Sequence, residues 1–507
     1  MKYFKPILAG TFLIIVIISC NNSNNQKEKT GEELSKTYCG SCHLFPDPAL
    51  LDKRTWKDDV LPAMAEQLGI AYLYKMIPPD NPVITEEEWK KILAYYVNTA
   101  PGVMPTQQRP VVKALTNLFI AKRVVLPRGD FPSTSFIKID EGNHWIYAAN
   151  AFDSSLDIYD SGLKLLSHNK VNAVIVDIDF RNSLLEAGKR SGIFTNIGLM
   201  NPNDLSNGSL DTFSFDGRGN LTYLAKIFDS IPRPVQITKY DLDGNGKQDY
   251  LVCGFGNTKG ALYWMKAKPG GGFEKKILIP LPGAIRCYID DFNKDGLPDI
   301  IVLMAQAREG IFLFLNKRNG KFEMKEVLDF PPIYGSSFFE LTDFNNDGFK
   351  DILYTCGDNG DYTGKVLKYY HGVYIYLNDG KNNFSQKYFF PIHGCYKAIA
   401  RDFDKDGDLD IVAISFFPDT TNQPKESFVY LEQTTSFHFT PFTTEAFNEG
   451  SWITMDAGDV DGDGYDDIVL GSLIPPQPRK IKKWKKGNRQ KTALLLLHNE
   501  SGRLKYK

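Results

Sequence analysis

A nine-residue acidic pattern that recurs five times in the C-terminal part of the chain constrains the fold more than any other feature. The pattern is D-x-[DN]-x-[DN]-G-x-x-D, and its five copies begin at Asp241, Asp291, Asp343, Asp402 and Asp459. Successive copies start 50, 52, 59 and 57 residues apart, and each is followed by an apolar run such as IIVLM or DIVLG. A repeat of this length suits one four-stranded blade of a β-propeller, in which the acidic loop joins two strands.

Each copy also groups the ligands of a calcium site. Oxygens at positions 1, 3, 5 and 9 converge when the glycine at position 6 permits a sharp turn, and such hard oxygens suit a hard cation. The alternative is a set of Asx turns that hold no metal. We predict up to five calcium ions, with ligands Asp241, Asp243, Asn245, Asp249, Asp291, Asn293, Asp295, Asp299, Asp343, Asn345, Asp347, Asp351, Asp402, Asp404, Asp406, Asp410, Asp459, Asp461, Asp463 and Asp467.

The series resembles the FG-GAP or VCBS-type repeat of integrin-like propellers. Two weaker copies extend it upstream: VIVDIDFRNSLLEAG keeps Asp177 and Asp179, and IDEGNHWIYAAN keeps Asp140 and Gly142. The seven markers therefore predict an all-β propeller of seven blades over residues 107–507, with six or eight blades as alternatives.

The strand before each acidic loop alternates polar and apolar residues, which predicts one face packed between blades and one face at a central channel. The charged residues on the channel side would either bind a ligand or neutralise one another. They are Arg286, Asp290, Glu340, Lys397, Arg401 and Asp456.

Four cysteines of the repeat region lie at strand ends away from the acidic loops. The pairs Cys253–Cys287 and Cys356–Cys395 are geometrically possible disulfides in an exported protein, and free buried thiols are the alternative.

A different motif, CGSCH at residues 39–43, lies near the N-terminus. Two thiols at this spacing can form thioethers with one haem, and the adjacent histidine then binds the iron as proximal ligand. No further Cys or His occurs between residues 44 and 106, so the motif has no nearby Cys or His to complete the four ligands of a zinc site. No βαβ pattern surrounds the motif, as a thioredoxin-like pair would require. The motif predicts one covalent haem c, attached by Cys39 and Cys42 and ligated by His43.

Short helical patterns flank this motif. Thr85 can cap a helix that begins at Glu86, and TWKDDVLPAMAEQLG is helical in part. Three short helices around C-x-x-C-H resemble a class I cytochrome c, over residues 32–106. A carbonyl of Pro46 or Pro48 is a candidate acceptor for the His43 ring N–H, although a plain turn is equally consistent.

Three methionines compete for the distal position on the iron. Met64, in the pattern W-x3-V-x3-M, is our first choice, Met76 in MIPPDNPVITEEEW is the runner-up, and Met104 lies in the exit linker. Core packing is the alternative role of each. Thioether ligation would raise the reduction potential and favour electron transfer.

The N-terminus carries an export pattern. Lys2 and Lys5 precede an apolar run that ends in Ile17-Ile18-Ser19-Cys20, which resembles a bacterial lipobox with Cys20 as the lipidated residue. We therefore predict a lipoprotein signal peptide at 1–20 and a flexible tether at 21–31, with an ordinary signal peptide or a short membrane anchor as the alternative. The mature protein would be exported and membrane-anchored, facing the periplasm or the cell surface.

The whole chain resembles exported bacterial proteins that join an all-α cytochrome c domain to an FG-GAP/VCBS propeller. The resemblance implies a monohaem electron carrier that exchanges electrons with a redox partner protein and uses the propeller as a calcium-binding docking scaffold. One alternative is a propeller dehydrogenase with the haem as built-in acceptor, although no nucleophile or acid/base motif stands out. Another is a binding protein for a glycan or surface partner. A net charge of −2 argues against a general nucleic-acid binder.

Overall fold

The computed structural model of the chain describes residues 28–70, 82–115, 117–128, 130–180, 190–474 and 491–501. The signal peptide, Cys20, most of the tether and Met76 lie outside the described residues, so the predictions made for them stay predictions.

Seven β-sheets make up most of the described structure, and each has four antiparallel strands apart from one additional strand on the sixth. Blade 1 contains β3 (Thr134–Asp140), β4 (Trp145–Asn150), β5 (Ser155–Asp160) and β6 (Leu165–Lys170). Blade 2 contains β7 (Ile175–Asp179), β8 (Arg190–Asn196), β9 (Gly208–Phe215) and β10 (Leu221–Ile231). Blade 3 contains β11 (Pro234–Tyr240), β12 (Asp249–Gly254), β13 (Ala261–Ala267) and β14 (Phe273–Ile279). Blade 4 contains β15 (Ala284–Asp290), β16 (Asp299–Met304), β17 (Gly310–Asn316) and β18 (Phe322–Asp329).

The remaining blades follow the same order along the chain. Blade 5 contains β19 (Ser336–Thr342), β20 (Asp351–Cys356), β21 (Gly372–Asn378) and β22 (Phe384–Pro391). Blade 6 contains β23 (Cys395–Arg401), β24 (Asp410–Ser415), β25 (Phe428–Thr435) and β26 (His438–Thr443), with the short β1 (Lys113–Ala114) added in parallel to β26. Blade 7 contains β27 (Trp452–Gly458), β28 (Asp467–Ser472), β29 (Lys491–Asn499) and β2 (Phe119–Leu126).

The ring closes through the last blade. Strand β2, which precedes blade 1 in the chain, pairs antiparallel with β29 and forms the outer edge of blade 7. The first strand of blade 7 in turn contacts the first strand of blade 1. Closure by a distant strand joins the two ends of the propeller and protects sheet edges. The prediction of seven blades is confirmed.

The propeller core lies between neighbouring blades. One cluster of fully buried side chains joins Leu251 and Trp264 of blade 3 to Val302 and Phe312 of blade 4. The second strands of blades 4 to 7 are buried along their whole length, because both faces are covered by adjacent blades.

Short helices occupy the N-terminal part. They are α1 (Gly31–Tyr38), α2 (Lys53–Thr55), α3 (Leu61–Gln67) and α4 (Glu86–Thr99), with a π-helical turn at Trp56–Val60 and 3₁₀ turns at Cys39–Ser41, Pro48–Leu50 and Pro424–Ser427. Thr85 caps α4 with Glu88 in a capping box, as its sequence predicted. The π-helical turn directly precedes Pro62, which lacks the N–H that a regular helix would use.

These helices do not form a clearly separate all-α domain. Leu51 and Trp56 share one buried cluster with Ile333 and Val366 of the propeller loops. The Tyr370 hydroxyl donates to the Leu50 carbonyl across the same boundary at 3.2 Å. The described helical segment is small, and a small segment gains stability when it buries apolar surface against a larger body. Among the described residues no helix is both long and apolar enough to span a bilayer.

Candidate functional site

The five acidic loops have the same position in blades 3 to 7. Each one connects the first and second strands of its blade, as predicted. In blade 4 the two carboxylate oxygens of Asp291 accept hydrogen bonds from the N–H groups of Asp295, at 3.0 Å, and of Gly296, at 2.8 Å. Gly296 has a φ of +80°, which a residue with a Cβ rarely adopts, so glycine is required at position 6.

The loop carboxylates converge in the way a cation site requires. In blade 6 one oxygen from each of Asp402, Asp404 and Asp406 lies within 4.8 Å of the others, and the equivalent group forms in blade 7. In blade 3 the group consists of Asp241, Asp243 and Asp249, the first, third and last residues of the pattern. Carboxylate and amide oxygens held in a tight loop fit calcium. Calcium at these loops stays a prediction.

The last aspartate of each loop has a structural role that the sequence did not reveal. Asp299 is fully buried, and its two oxygens accept hydrogen bonds from Phe292 N at 3.0 Å and from Asn316 N at 2.7 Å. It therefore links the loop to the third strand of the blade. Burial raises the pKa of its carboxyl group, and the two hydrogen bonds oppose that shift. The equivalents that also bond to a third-strand N–H are Asp249, Asp351, Asp410 and Asp467.

The CGSCH motif begins where α1 ends. Cys39 starts a 3₁₀ turn and is partly buried, whereas Cys42 is exposed. Burial raises the pKa of the Cys39 thiol to about 11.

His43 directly follows the two cysteines and is partly buried. Its Nδ1 atom lies 2.8 Å from the Leu44 carbonyl oxygen, which leaves Nε2 available as a ligand atom. The suggested acceptors are wrong: the Pro46 carbonyl accepts from the Tyr96 hydroxyl, and the Pro48 carbonyl accepts from Trp56 Nε1, each at 2.8 Å. The two proline carbonyls instead fasten the segment after the motif to the helices.

The helical core also offers features that suit a haem. Met64 lies on α3 and packs, half-buried, against the cluster that contains Trp56. Trp89 Nε1 is buried and has no hydrogen-bond partner among the described residues, so it is a donor for a polar group such as a haem carboxylate. The donor set and its surroundings fit the group. The haem, and the choice between Met64 and Met76, stay predictions.

Charged groups along the inner strands satisfy one another. Arg401 donates to Glu340 at 2.7 Å, and Glu340 accepts from Ala400 N at 3.0 Å. Asp456 accepts from Ile139 N of the neighbouring blade at 2.9 Å, and Lys397 donates to the Met455 carbonyl at 2.6 Å. These contacts favour the second alternative, in which the channel charges stabilise the ring rather than bind a ligand.

The four repeat-region cysteines are fully buried and free in the structure. The structure therefore agrees with the free-thiol alternative for Cys253, Cys287, Cys356 and Cys395.

Comparison with known proteins finds the same repeat. The FG-GAP-like repeat family matches residues 241–302, 291–354 and 402–470. The chain is 34% identical over 141 residues to a T-cell immunomodulatory protein homolog of Plasmodium falciparum (isolate 3D7), which covers 25% of this chain and 19% of that protein. It is 28% identical over 158 residues to integrin alpha-4 of Xenopus laevis, which covers 27% of this chain and 14% of that protein. The matches thus span less than a fifth of either relative.

Among solved structures, BBS1N in complex with ARL6DN aligns with a TM-score of 0.42 and 10% identity, over 76% of this chain and 97% of that chain. The sheet topology gives a seven-bladed β-propeller, and three stretches of it match the FG-GAP-like repeat.

Proposed function

We propose that this FG-GAP propeller is the calcium-stiffened docking scaffold of an exported, membrane-anchored electron carrier with one haem c. The observation that carries the proposal is the orientation of His43, whose Nδ1 atom contacts the Leu44 carbonyl while Nε2 remains available to the iron. His43 follows directly after two cysteines at the spacing that thioether attachment of a haem requires.

Each residue of the motif has a defined role in the proposal. Cys39 and Cys42 would attach the haem, and His43 would hold the iron with Met64, or with Met76 as runner-up. The haem supplies a one-electron couple. Trp56 and Tyr96, whose ring centroids lie 4.4 Å apart, keep water from the core below the motif.

The propeller contributes position rather than chemistry. The side chain of Asp59 accepts hydrogen bonds from the backbone and hydroxyl of Thr363, at 3.3 and 2.8 Å. Together with the shared apolar cluster, this contact fixes the helices on blade 5. A redox partner protein that docks on the propeller would therefore meet the haem at a constant distance. Lipid on Cys20 would hold the assembly at a membrane that faces the periplasm or the cell surface.

One observation favours a second candidate function, a propeller dehydrogenase that passes electrons to the haem. A cavity of about 370 Å³ lies between blades 4 and 5 and is lined by aromatic side chains that include Tyr334, Tyr370 and Tyr374. Asp329 also lines this cavity, and burial together with Glu326 raises the pKa of its carboxyl group to about 6, as suits a general base.

Redox titration of the full haem-loaded chain tests both functions. The carrier requires a reversible one-electron couple, and a Met64→Ala variant should lower its potential, whereas Met76→Ala should not. Rapid haem reduction by a redox protein, and none by small substrates, supports the carrier. Reduction by a small substrate that is lost in Asp329→Asn, with the couple intact, would replace the carrier by the dehydrogenase.

A further inference from the structure

One position on the third strand faces the acidic loop in each repeat, and its residue type changes from blade to blade. On the third strand of each blade, one backbone N–H donates to the last aspartate of the loop. The position meant here is the residue directly before that N–H. We call it the facing position. From blade 3 to blade 7 it is occupied by Lys266, Leu315, Leu377, Glu432 and His498.

In blade 3 the facing residue is itself a cation. Lys266 Nζ lies 2.6 Å from an oxygen of Asp243, the third residue of the loop. A charged group removed from water is costly unless an opposite charge compensates it, and the ammonium group of Lys266 compensates the Asp243 carboxylate. A metal ion that binds Asp243 would have to displace this ammonium group.

In blade 7 the facing residue is a buried imidazole that also reaches the third residue of its loop. Only 5% of the His498 side chain is exposed. Its Nδ1 atom lies 2.9 Å from Asp467 Oδ1. Asp467 also accepts the N–H groups of Val460 and Asn499, so it acts as an acceptor toward the ring as well. The Nδ1 atom therefore donates its proton to Asp467.

The other ring nitrogen, Nε2, points at carboxylates. It lies 3.6 Å from Asp461 Oδ2 and 3.5 Å from Glu500 Oε1. Atoms bound to one tetrahedral zinc ion at ~2.0–2.1 Å are themselves about 3.4 Å apart. Both separations from Nε2 are close to that value, and one ligand atom from each of Asp461, Asp467 and His498 lies within 4.8 Å of the others. The Asp467 contact is the carboxylate–histidine pair that usually supports such a ligand.

We propose that the blade 7 loop is a mixed nitrogen and oxygen site that binds a borderline transition-metal cation of the zinc class, with His498 Nε2 and Asp461 as ligands and Asp467 as the partner of the ring. Imidazole prefers such cations over calcium, whereas the all-oxygen loops of blades 4, 5 and 6 suit calcium. The proposal rests on the part of the proposed function that treats the loops as cation sites, and it divides them into two chemical classes.

The chain offers a matched variant for the test. His498→Leu places in blade 7 the residue that blades 4 and 5 carry naturally at the facing position, so the local fold has a precedent in the same protein. His438→Leu is the control, because His438 is exposed on β26 and its Nδ1 atom lies 3.0 Å from the Ser436 carbonyl oxygen, away from the acidic loops.

The measurement is equilibrium dialysis of Zn²⁺ against the full haem-loaded chain in excess Ca²⁺, with both metals counted by mass spectrometry. We expect one bound Zn²⁺ in the wild type and in His438→Leu, and an affinity at least about 100-fold weaker in His498→Leu. Calcium bound by the other loops should not change. X-ray absorption at the zinc edge of the wild type should show an imidazole nitrogen and no sulfur, which gives a result even if His498→Leu fails to fold.

Equal zinc binding in the wild type and His498→Leu would overturn the proposal, as would a zinc edge without imidazole. In that case His498 would act as a built-in cation, as Lys266 does in blade 3. Because calcium is counted in the same samples, loss of the zinc site alone leaves the proposed function standing. Loss of calcium from the other loops as well would remove both.

Discussion

Replacement of Asp299 separates the structural role of the acidic loops from their role in metal binding. In the variant Asp299→Ala the N–H groups of Phe292 and Asn316 lose their acceptor while both residues stay buried. A buried donor left without a partner costs about 1–3 kcal/mol, so the two together should lower the free energy of unfolding by about 2–6 kcal/mol.

Asp295→Ala is the matched control within the same loop. Asp295 is a predicted ligand of the same calcium ion, but it is exposed, and water can replace it as acceptor for the Leu297 N–H. In EDTA its loss should cost less than about 1 kcal/mol. In calcium both variants should lose the same bound ion.

Urea unfolding followed by far-UV circular dichroism, in EDTA and in calcium, measures the difference. Our account requires that Asp299→Ala is far less stable than Asp295→Ala even in EDTA. Equal stability of the two variants in EDTA would refute the structural role and leave position 9 as a simple metal ligand.

Three other changes give separate tests. Gly31→Ala should lower the free energy of unfolding by about 1–3 kcal/mol and reduce haem content, because a Cβ at residue 31 would lie 2.2 Å from the Lys91 carbonyl oxygen of α4. Gly40 has open space around it, so Gly40→Ala should change neither the stability nor the haem content. Lys266→Leu should tighten calcium binding in blade 3 by about tenfold or more, measured by isothermal titration calorimetry, because it removes the ammonium group at the loop; an unchanged affinity would mean that the lysine does not compete. His371 is fully buried, and its burial, followed by the charge of Lys368, lowers its pKa well below 6.5. The contribution of the neutral imidazole to stability is therefore complete above pH 6.5 and is lost as the pH falls toward the folded pKa. Stability should therefore fall by up to about 1.4 kcal/mol per pH unit below pH 6.5, and His371→Gln should flatten that slope in acid-unfolding curves.

The propeller could be predicted because its signal is local and repeated. The glycine and carboxylate spacing of each loop lies within nine residues, and the strand that follows is a continuous apolar run. The start of α4 could also be predicted from the sequence, because the capping box of Thr85 and Glu88 forms within one helical turn.

Features that depend on contacts between residues far apart in the chain could not be predicted from the sequence. Strand β2 closes blade 7 by pairing with β29, more than three hundred residues later in the chain. His498 faces Asp461 only because β29 lies beside β28 in the folded blade. The facing position follows the loop at a different sequence distance in each blade, so no fixed spacing marks Lys266 or His498 in the sequence.

The separation of the helices from the propeller was also overestimated. The apolar spacing of the helices predicted a core of their own, but part of that core is supplied by Ile333 and Val366 of the propeller. These loop residues have no periodic pattern that would mark them as partners of a helix. The shared core explains how a small helical segment with few buried side chains can be held in place.

The central claim is that this chain carries a haem on Cys39 and Cys42. The most direct measurement is the absorption spectrum of the full chain, exported from cells that mature c-type cytochromes and denatured to remove any haem that is not covalently bound. The account predicts one covalent c-type haem per chain, absent from Cys39→Ala and Cys42→Ala. A folded, calcium-binding wild-type protein with no covalent haem would contradict it.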